Sequence, residues 1–471
     1  MRICMLHPPR AGGRGTNQVP PIGLLYLASV LERDGHDVVL LDAARTGLDG
    51  DDLLRAMEAA APRLVLVSAF TSDVPAVRGL LQGFREALGD IPLWLGGPHA
   101  SCRGPGSFDD LPGIDAVFVG EAEETLPRAI AHLDGGPPPS HGVIWKESPS
   151  ETAHALVEDL GTLPLPAWHL APPALYRGLP NGVVLRRHPF APVLTTRGCP
   201  RRCTFCAGFR VTGRKVRHRP LAMVWEEIEL LVRSYGVREI HIEDDNFTHD
   251  RDYAAAFCRE ALERRLPVLY STPNGVRLDT LDDELAGLMK KAGWYVVHCG
   301  IESGSDRILG MTRKGTTTAL VREKIALLRR HGLRVAGYFI LGLPGETEED
   351  ISRTMEFARD SGLDWAQFAA FLPIPGSEAG EAWLAAHPGE VDGWRLFHNT
   401  DCPAPPEGIS RARMKQLQRK AFLRFYMRPG PALRSLGLLR HPGATGRLFS
   451  RASAYLWGGR RAAAPWSGDS R

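Results

Sequence analysis

Short apolar runs alternate with longer segments whose apolar positions recur every three or four residues. The first run, Ile3-Cys-Met-Leu-His7, ends at Pro8-Pro9. After a Gly-rich loop, residues 22–31 are apolar at helical spacing, and Gly35-His36 stops them. Val38-Val-Leu-Leu41 closes on Asp42 as a second strand. The pattern then predicts helices over 51–60, 74–88 and 123–133, and strands over 64–67, 93–95 and 116–119. Continuous apolar strands alternating with helices predict a parallel sheet covered on both faces. Residues 136–190 lose this period and read as a linker with one short strand at 142–145. Leu163-Pro-Leu-Pro166 and Trp168 are expected to pack across the domain boundary. From 191 to 376 alternation returns, with strands over 192–196, 239–243, 268–272, 295–299, 335–341 and 366–371. Helices are predicted over 221–234, 252–264, 280–291, 317–331 and 348–361. Six strand–helix units predict a partial (β/α)6 barrel with its active groups at the strand C-termini. Beyond it, Trp383, Trp394 and Phe397 suggest a small helical region over 377–471, including a basic amphipathic helix from Ser410 to Tyr426. The fold class is thus α/β: a flavodoxin- or Rossmann-like domain over 1–135, the linker, the barrel, and the helical C-terminal region.

Composition changes this picture little. The 471 residues are 44% apolar and 24% charged, as in ordinary soluble proteins. No apolar run reaches the roughly 18 residues of a membrane span, and the N-terminus reads as a strand rather than a signal segment. The net charge of +3 hides an asymmetry: residues 411–471 hold 14 Lys and Arg and one acid, Asp469. Solvated helix faces and a frayed end are the default reading of this tail. A peripheral contact with an anionic membrane surface or a lipid-linked substrate is the alternative. No aromatic–basic RNA motif is visible, so nucleic acid is not expected.

Candidate chemistry is concentrated at the strand ends. Cys199, Cys203 and Cys206, spaced Cys-x3-Cys-x2-Cys, follow the first barrel strand, and one loop of thiolates can wrap an iron–sulfur cluster. Three protein ligands for four irons leave one iron open. Zinc would need a fourth ligand, and His218 lies too far along to supply it simply. Eight cysteines, three of them clustered, do not form a disulfide framework, and an exposed cluster needs a reducing compartment, so cytoplasm is expected. Cys258 and Cys299 read as buried core residues. In the first domain the strand ends carry Pro21 and Gly23, Ser68 and Thr71, Gly96, Gly97 and His99, and Gly120 and Glu121. Glycines there allow a large flat ligand to approach the backbone, and a nucleotide suits them as well as any other. In the barrel they carry Glu243-Asp244-Asp245-Asn246, Thr272 to Arg277, Gly300-Ile-Glu302-Ser303, and Gly337 to Gly342.

The cysteine spacing, with Phe205 before the last cysteine, resembles the cluster loop of radical S-adenosylmethionine (radical SAM) enzymes. The order Pro-Pro-Ile-Gly, Gly-Gly-Pro-His and Gly-Glu-Ala-Glu in the first domain resembles the cobalamin-binding domain fused to many of them. Together the resemblance covers residues 1–375. It implies a 4Fe-4S cluster on Cys199, Cys203 and Cys206, S-adenosylmethionine, cobalamin, and an external electron donor of flavodoxin or ferredoxin type. It implies that Phe205, Asp245, Asn246, Arg277, Glu302, Ser303 and Gly342 meet S-adenosylmethionine. Asp244 is nearly as good a choice, and Arg277 pairs either with the methionine carboxylate or with a protein acid. Pro21, Gly23, Ser68, Thr71, Gly96, Gly97, His99, Gly120 and Glu121 are the expected cobalamin contacts. His99 is read as a loop histidine beside the ligand rather than a cobalt ligand. No Asp-x-His-x-x-Gly occurs, which fits the branch whose cobalamin lacks a lower histidine ligand. Methylthiotransferases are disfavoured, because the first domain has only Cys4 and Cys102 rather than three extra cluster cysteines. The implied chemistry is reductive cleavage of S-adenosylmethionine, hydrogen abstraction by a 5′-deoxyadenosyl radical, and methyl delivery from methylcobalamin to a small-molecule or lipid-like substrate. Cyclising, ring-contracting and oxygen-inserting relatives share the motifs, and a cobalamin-binding sensor without catalysis is the alternative of another class. No catalytic side chain is assigned beyond the cluster.

Overall fold

β1 (Arg2–His7) founds the first sheet, followed by α1 (Ile22–Arg33), β2 (Asp37–Asp42), α2 (Ala43–Thr46), α3 (Gly50–Ala60), β3 (Leu64–Ser68) and α4 (Val74–Leu88). β4 (Leu93–Gly96), α5 (Gly97–Arg103), α6 (Ser107–Asp110), β5 (Ala116–Phe118), α7 (Thr125–Leu133) and β6 (Val143–Trp145) complete it. The computed structural model describes residues 1–9, 19–177, 185–388, 394 and 400–430. The strand order is β2-β1-β3-β4-β5-β6, a flavodoxin-type order with the chain reversing between β1 and β3. Apolar strands such as Ile3-Cys-Met-Leu6, buried throughout, are covered by helices on both faces.

Two features depart from the expectation. β6 comes from the segment read as linker and adds to β5 antiparallel, so this sheet runs past residue 135. Three residues are too few to display a period, yet Val143 and Ile144 are buried on opposite faces. Gly97-Pro98 opens a helix instead of continuing a glycine loop, since Pro in the first turn is pre-set for it.

The barrel begins with β7 (Phe190–Val193), and the strand predicted over 192–196 breaks at Leu194. It restarts as β8 (Thr196–Arg197), which pairs antiparallel with β9 (Arg217–His218) around α8 (Phe209–Thr212). Then follow α9 (Leu221–Tyr235), β10 (Glu239–Ile242), α10 (Arg251–Arg264), β11 (Leu269–Ser271), α11 (Asp283–Ala292), β12 (Val296–Glu302), α12 (Asp306–Met311) and α13 (Thr318–Arg330). β13 (Arg334–Leu341), α14 (Glu348–Asp360), β14 (Trp365–Ala370), α15 (Glu378–Ala386) and α16 (Arg411–Tyr426) end the described order. The strands lie in the order β7-β10-β11 and β12-β13-β14, all parallel, and bridges at Tyr270–Trp294 and Val276–Cys299 join the halves. Cys258 and Cys299 are fully buried in the barrel core.

Trp168 is buried in that core and its indole N–H donates to Glu227 at 3.2 Å, while Leu163 packs with Tyr26 and Val30 of α1, so this segment ties the two units together. α16 seals β14: Met414, Leu417, Ala421 and Phe425 are buried, and Gln418 donates to the Phe368 carbonyl. Trp394 lies in the first unit's core, 6.0 Å from the His99 ring. Phe397 and the basic tail beyond Gly430 lie outside the described residues. Among the described residues no helix is long and apolar enough to cross a membrane.

Candidate active site between sheet and barrel

The cysteine loop is held from several sides. β8 and β9 pinch its base, and Gly198, at φ +100°, carries no Cβ because one would lie 2.2 Å from the Lys215 carbonyl. The amide of Thr204 donates to Thr312 O, and its carbonyl accepts from Ala379 N. Asp245 ties both limbs: one carboxylate oxygen accepts from Gly198 N at 3.1 Å and from the Thr212 hydroxyl at 2.6 Å. Burial, with the neighbouring thiols and Asp245 adding to it, pushes Cys199 up and Cys206 up to about 11. All three cysteines are free, so the loop gathers thiol donors whose charges act on one another. Among the described residues no three His, Cys, Asp or Glu side chains converge as ligands of one metal ion would. Thiolates that each serve a different iron of a cluster share no such point, and this donor set fits that group.

At the barrel strand ends the structure separates residues that look alike in sequence. Asp244 is buried and accepts from Thr195 N at 2.6 Å and the Thr195 and Thr196 hydroxyls at 2.5 and 2.9 Å. Burial raises its carboxyl to about 6. It anchors the break between β7 and β8. Asn246 accepts from Arg277 N and Thr248, while its Nδ2 is buried without a partner. Arg277 takes the protein-acid alternative: its guanidinium meets Asp279 at 3.0 and 3.1 Å and the Gly315 carbonyl at 3.1 Å. Its Nη1 is buried and unpartnered. Two orphaned donors beside the cysteine loop fit an anionic or carboxylate-bearing ligand such as the methionine end of S-adenosylmethionine.

Glu302, in the left-handed region at φ +70°, is bonded by Lys314 at 2.6 Å, and that ammonium lies 5.9 Å from the Phe205 ring centre. Lys314 carries no motif and was missed in the sequence. The Ser303 hydroxyl, expected to meet S-adenosylmethionine, is fully buried against Thr354 of α14 at 3.1 Å. Gly342 also faces protein: its amide donates to Glu346, and a Cβ there would meet Met414 at 3.0 Å.

A cavity of about 410 Å³ opens at the carboxyl ends of the first sheet, where the strand order reverses between β1 and β3. Pro21, Gly23, Ser68, Gly96, Gly97, Gly120 and Glu121 line it. Thr71 and His99 do not. His99 is fully buried on α5, with Nδ1 3.2 Å from Thr71 Oγ1 and Nε2 3.3 Å from Asp110, so it is a core residue, neither a loop residue nor a ligand neighbour. The helix start at Gly97-Pro98 turned it inward. Glu121 is spent on protein: its two oxygens receive Arg217 at 2.7 and 2.8 Å, and Val157 N donates at 2.7 Å. Arg197 reaches Glu123 at 2.7 Å and Glu121 at 3.5 Å, and lies 5.0 Å over Tyr26. This buried network fastens the cysteine hairpin to the first sheet.

The other wall of the cavity was not legible in the sequence. It is made by Pro192, Leu194, Thr196, Arg197, Thr212, Glu243 and Asp245 of the barrel. Phe70, half exposed, adds a flat apolar edge. A Cβ on Gly23 would meet nothing within 4 Å, so the cradle is open there. The apolar walls and bare glycine backbone fit a large flat ligand such as cobalamin.

Comparison with known proteins agrees. The Radical SAM superfamily profile matches residues 193–358, and the B12 binding domain profile matches residues 12–130. The chain is 30% identical over 441 residues to the uncharacterized methyltransferase PH0819 of Pyrococcus horikoshii, covering 91% of this chain and 93% of that protein. It is 32% identical over 414 residues to the cytidylyl-2-hydroxyethylphosphonate methyltransferase of Streptomyces wedmorensis, covering 76% of each. Over 91% of its length it is 28% identical to the anaerobic magnesium-protoporphyrin IX monomethyl ester cyclase of Rubrivivax gelatinosus. Its fold is similar to the radical SAM methyltransferase TsrM from Kitasatospora setae, solved with cobalamin and [4Fe-4S] cluster bound, with a TM-score of 0.66, 21% identity, and coverage of 82% and 75%. The chain belongs to the cobalamin-binding radical SAM enzymes, whose cofactors are a 4Fe-4S cluster, S-adenosylmethionine and cobalamin.

Proposed function

We propose that this protein transfers a methyl group to an unactivated carbon of a small molecule. The observation that carries the reading is the shared cavity. Gly23, Ser68 and Gly120 of the first sheet, Thr196 and Thr212 of the cysteine hairpin, and Asp245 after β10 line one space. The methyltransferase names of two relatives support it.

When bound, the cluster and S-adenosylmethionine supply hydrogen abstraction, and cobalamin supplies a transferable methyl group. The chain supplies position. Asp245 fixes the hairpin, the Glu121–Arg217 and Glu123–Arg197 pairs set that hairpin against the sheet, and Leu24, Phe118, Leu194 and Val211 keep the cavity wall apolar. Reducing equivalents come from an external donor of flavodoxin or ferredoxin type. The cyclase relative favours a second reading, carbon–carbon bond formation without methyl transfer.

The deciding experiment is anaerobic. Reconstituted protein is mixed with cobalamin, S-adenosylmethionine and a strong reductant, and the products are separated. Methylcobalamin together with S-adenosylhomocysteine is the expected result. Deoxyadenosine without either, or no retained cobalamin, overturns methyl transfer in favour of a non-methylating radical reaction.

A further inference from the structure

The inner face of the barrel is open along two strands. Phe339, Leu341, Ala366, Phe368 and Ala370 are buried in the core, while the alternating Tyr338, Ile340, Gln367 and Ala369 stay partly exposed. Tyr338 and Gln367 are register partners across β13 and β14, so their side chains stand together on that face. The Tyr338 hydroxyl donates to Pro273 O at 2.6 Å, and the His298 ring lies against the Tyr338 ring at 5.8 Å and 21°. Gly300, the register partner of Tyr338 on β12, carries no side chain, and the Glu302 carboxylate and Lys314 ammonium close that end of the face.

The walls contain polar atoms with nothing to bond. His298 is 4% exposed and its Nδ1 has no partner; nor has Nδ1 of His241, or Oε1 of Glu243. These groups are close enough to act on one another: burial and then His241 hold His298 neutral, down to about 3. Burial raises Glu243 to about 7, with His241 opposing. A buried polar atom without a partner is costly, so three in the barrel interior mark a place where a ligand's polar groups belong. The groove is also well placed. Glu243 lines the interdomain cavity as well, and Ile340 packs on the same apolar cluster as Phe205 of the cysteine loop.

We propose that this groove is the acceptor site and that it selects a flat, hydrogen-bonding molecule rather than a lipid chain. A ring lies along Tyr338, a hydroxyl or amino group of the molecule donates to the Glu243 carboxyl, and its remaining polar edge meets His298 and the Gln367 amide. The word "acceptor" rests on the methyltransferase reading; the binding chemistry does not. An alkyl chain would leave Glu243 Oε1 and His298 Nδ1 unpaired and desolvated.

The test titrates the full-length protein, cluster loaded and without reductant, with benzylamine, benzyl alcohol and toluene. These probes share a ring and differ only in the donor group. The protein is labelled with ¹⁵N-histidine, and His241→Gln and His298→Gln variants assign the two ring signals. Benzylamine and benzyl alcohol are expected to move both signals saturably, with toluene at least about tenfold weaker, the size of one hydrogen bond. Glu243→Gln, isosteric at an unpaired oxygen, is expected to weaken benzylamine about tenfold more than benzyl alcohol. Equal binding of toluene, or no movement of either signal up to the solubility of the probes, overturns the proposal, and the probe comparison on the unsubstituted chain needs no variant to fold. Probe binding that survives alongside a failed methyl-transfer assay overturns only the functional reading.

Discussion

At the scale of single residues, burial and partners decide what each polar group does. The run Glu243-Asp244-Asp245-Asn246 reads as one acidic cluster, yet its members serve in turn as groove wall, strand anchor, hairpin tie and clamp on the Arg277 backbone. Cys203 stands between the other two thiols in sequence and interacts with both. Cys203→Ala is expected to abolish iron incorporation and deoxyadenosine formation while leaving the melting temperature of the cofactor-free chain within a few degrees; retained deoxyadenosine formation would sink the cluster assignment. Glu346 offers a pH test. Burial raises its carboxyl from 4.5 to about 8, so the folded chain holds this proton more tightly than the unfolded one. Its stabilising effect is therefore full below about pH 4.5 and is lost as pH rises through 8. Glu346→Gln keeps an acceptor for the Gly342 and Leu343 amides. A melting-temperature advantage of this variant is expected to open between pH 4.5 and 8, and parallel pH profiles would refute the assignment.

At the scale of elements, the cysteine hairpin shows how local geometry presents chemistry. Gly198 combines a left-handed backbone with a Cβ position 2.2 Å from the Lys215 carbonyl, so no side chain is tolerated. Gly198→Ala is expected to cost about 1–3 kcal/mol of local strain and to lower the iron bound per chain although all three cysteines are present. Normal iron content in that variant would show that the hairpin does not position the loop. The long helices, and the apolar strands between them, were legible because their patterns persist over many residues. β6, the split between β7 and β8, and α5 were not. Three-residue strands show no period, and a Gly-Gly-Pro-His sequence suits a ligand loop as well as a helix start. That ambiguity is why His99 belonged among the cofactor contacts in the sequence and lies in the core in the fold.

At the scale of the whole molecule, the sheet and barrel are locked by buried opposite charges. Glu121 and Arg217 are about as buried as core residues and form a two-point pair. Removing one partner leaves an uncompensated buried charge, at about 3–5 kcal/mol, whereas replacing both by apolar groups of similar size is far milder. Glu121→Ala is therefore expected to lower the melting temperature and weaken cobalamin retention, and Glu121→Leu with Arg217→Met together to recover much of the stability. Equal losses in the single and double variants would argue that the pair is not the fastener. The cluster loop, the two α/β units and their order could be read from the chain alone, because cysteine spacing and apolar period are properties of a few neighbouring residues, whereas S-adenosylmethionine and cobalamin were implied only by resemblance to a family. It took the folded molecule to show that one cavity joins the sheet to the cysteine hairpin, that the Glu121 carboxylate is bonded by Arg217, and that His241, Glu243 and His298 carry buried polar atoms without partners. Each of these depends on residues far away along the chain, as Glu121 and Arg217 are 96 residues apart, and burial at such distances is set by packing rather than by local pattern.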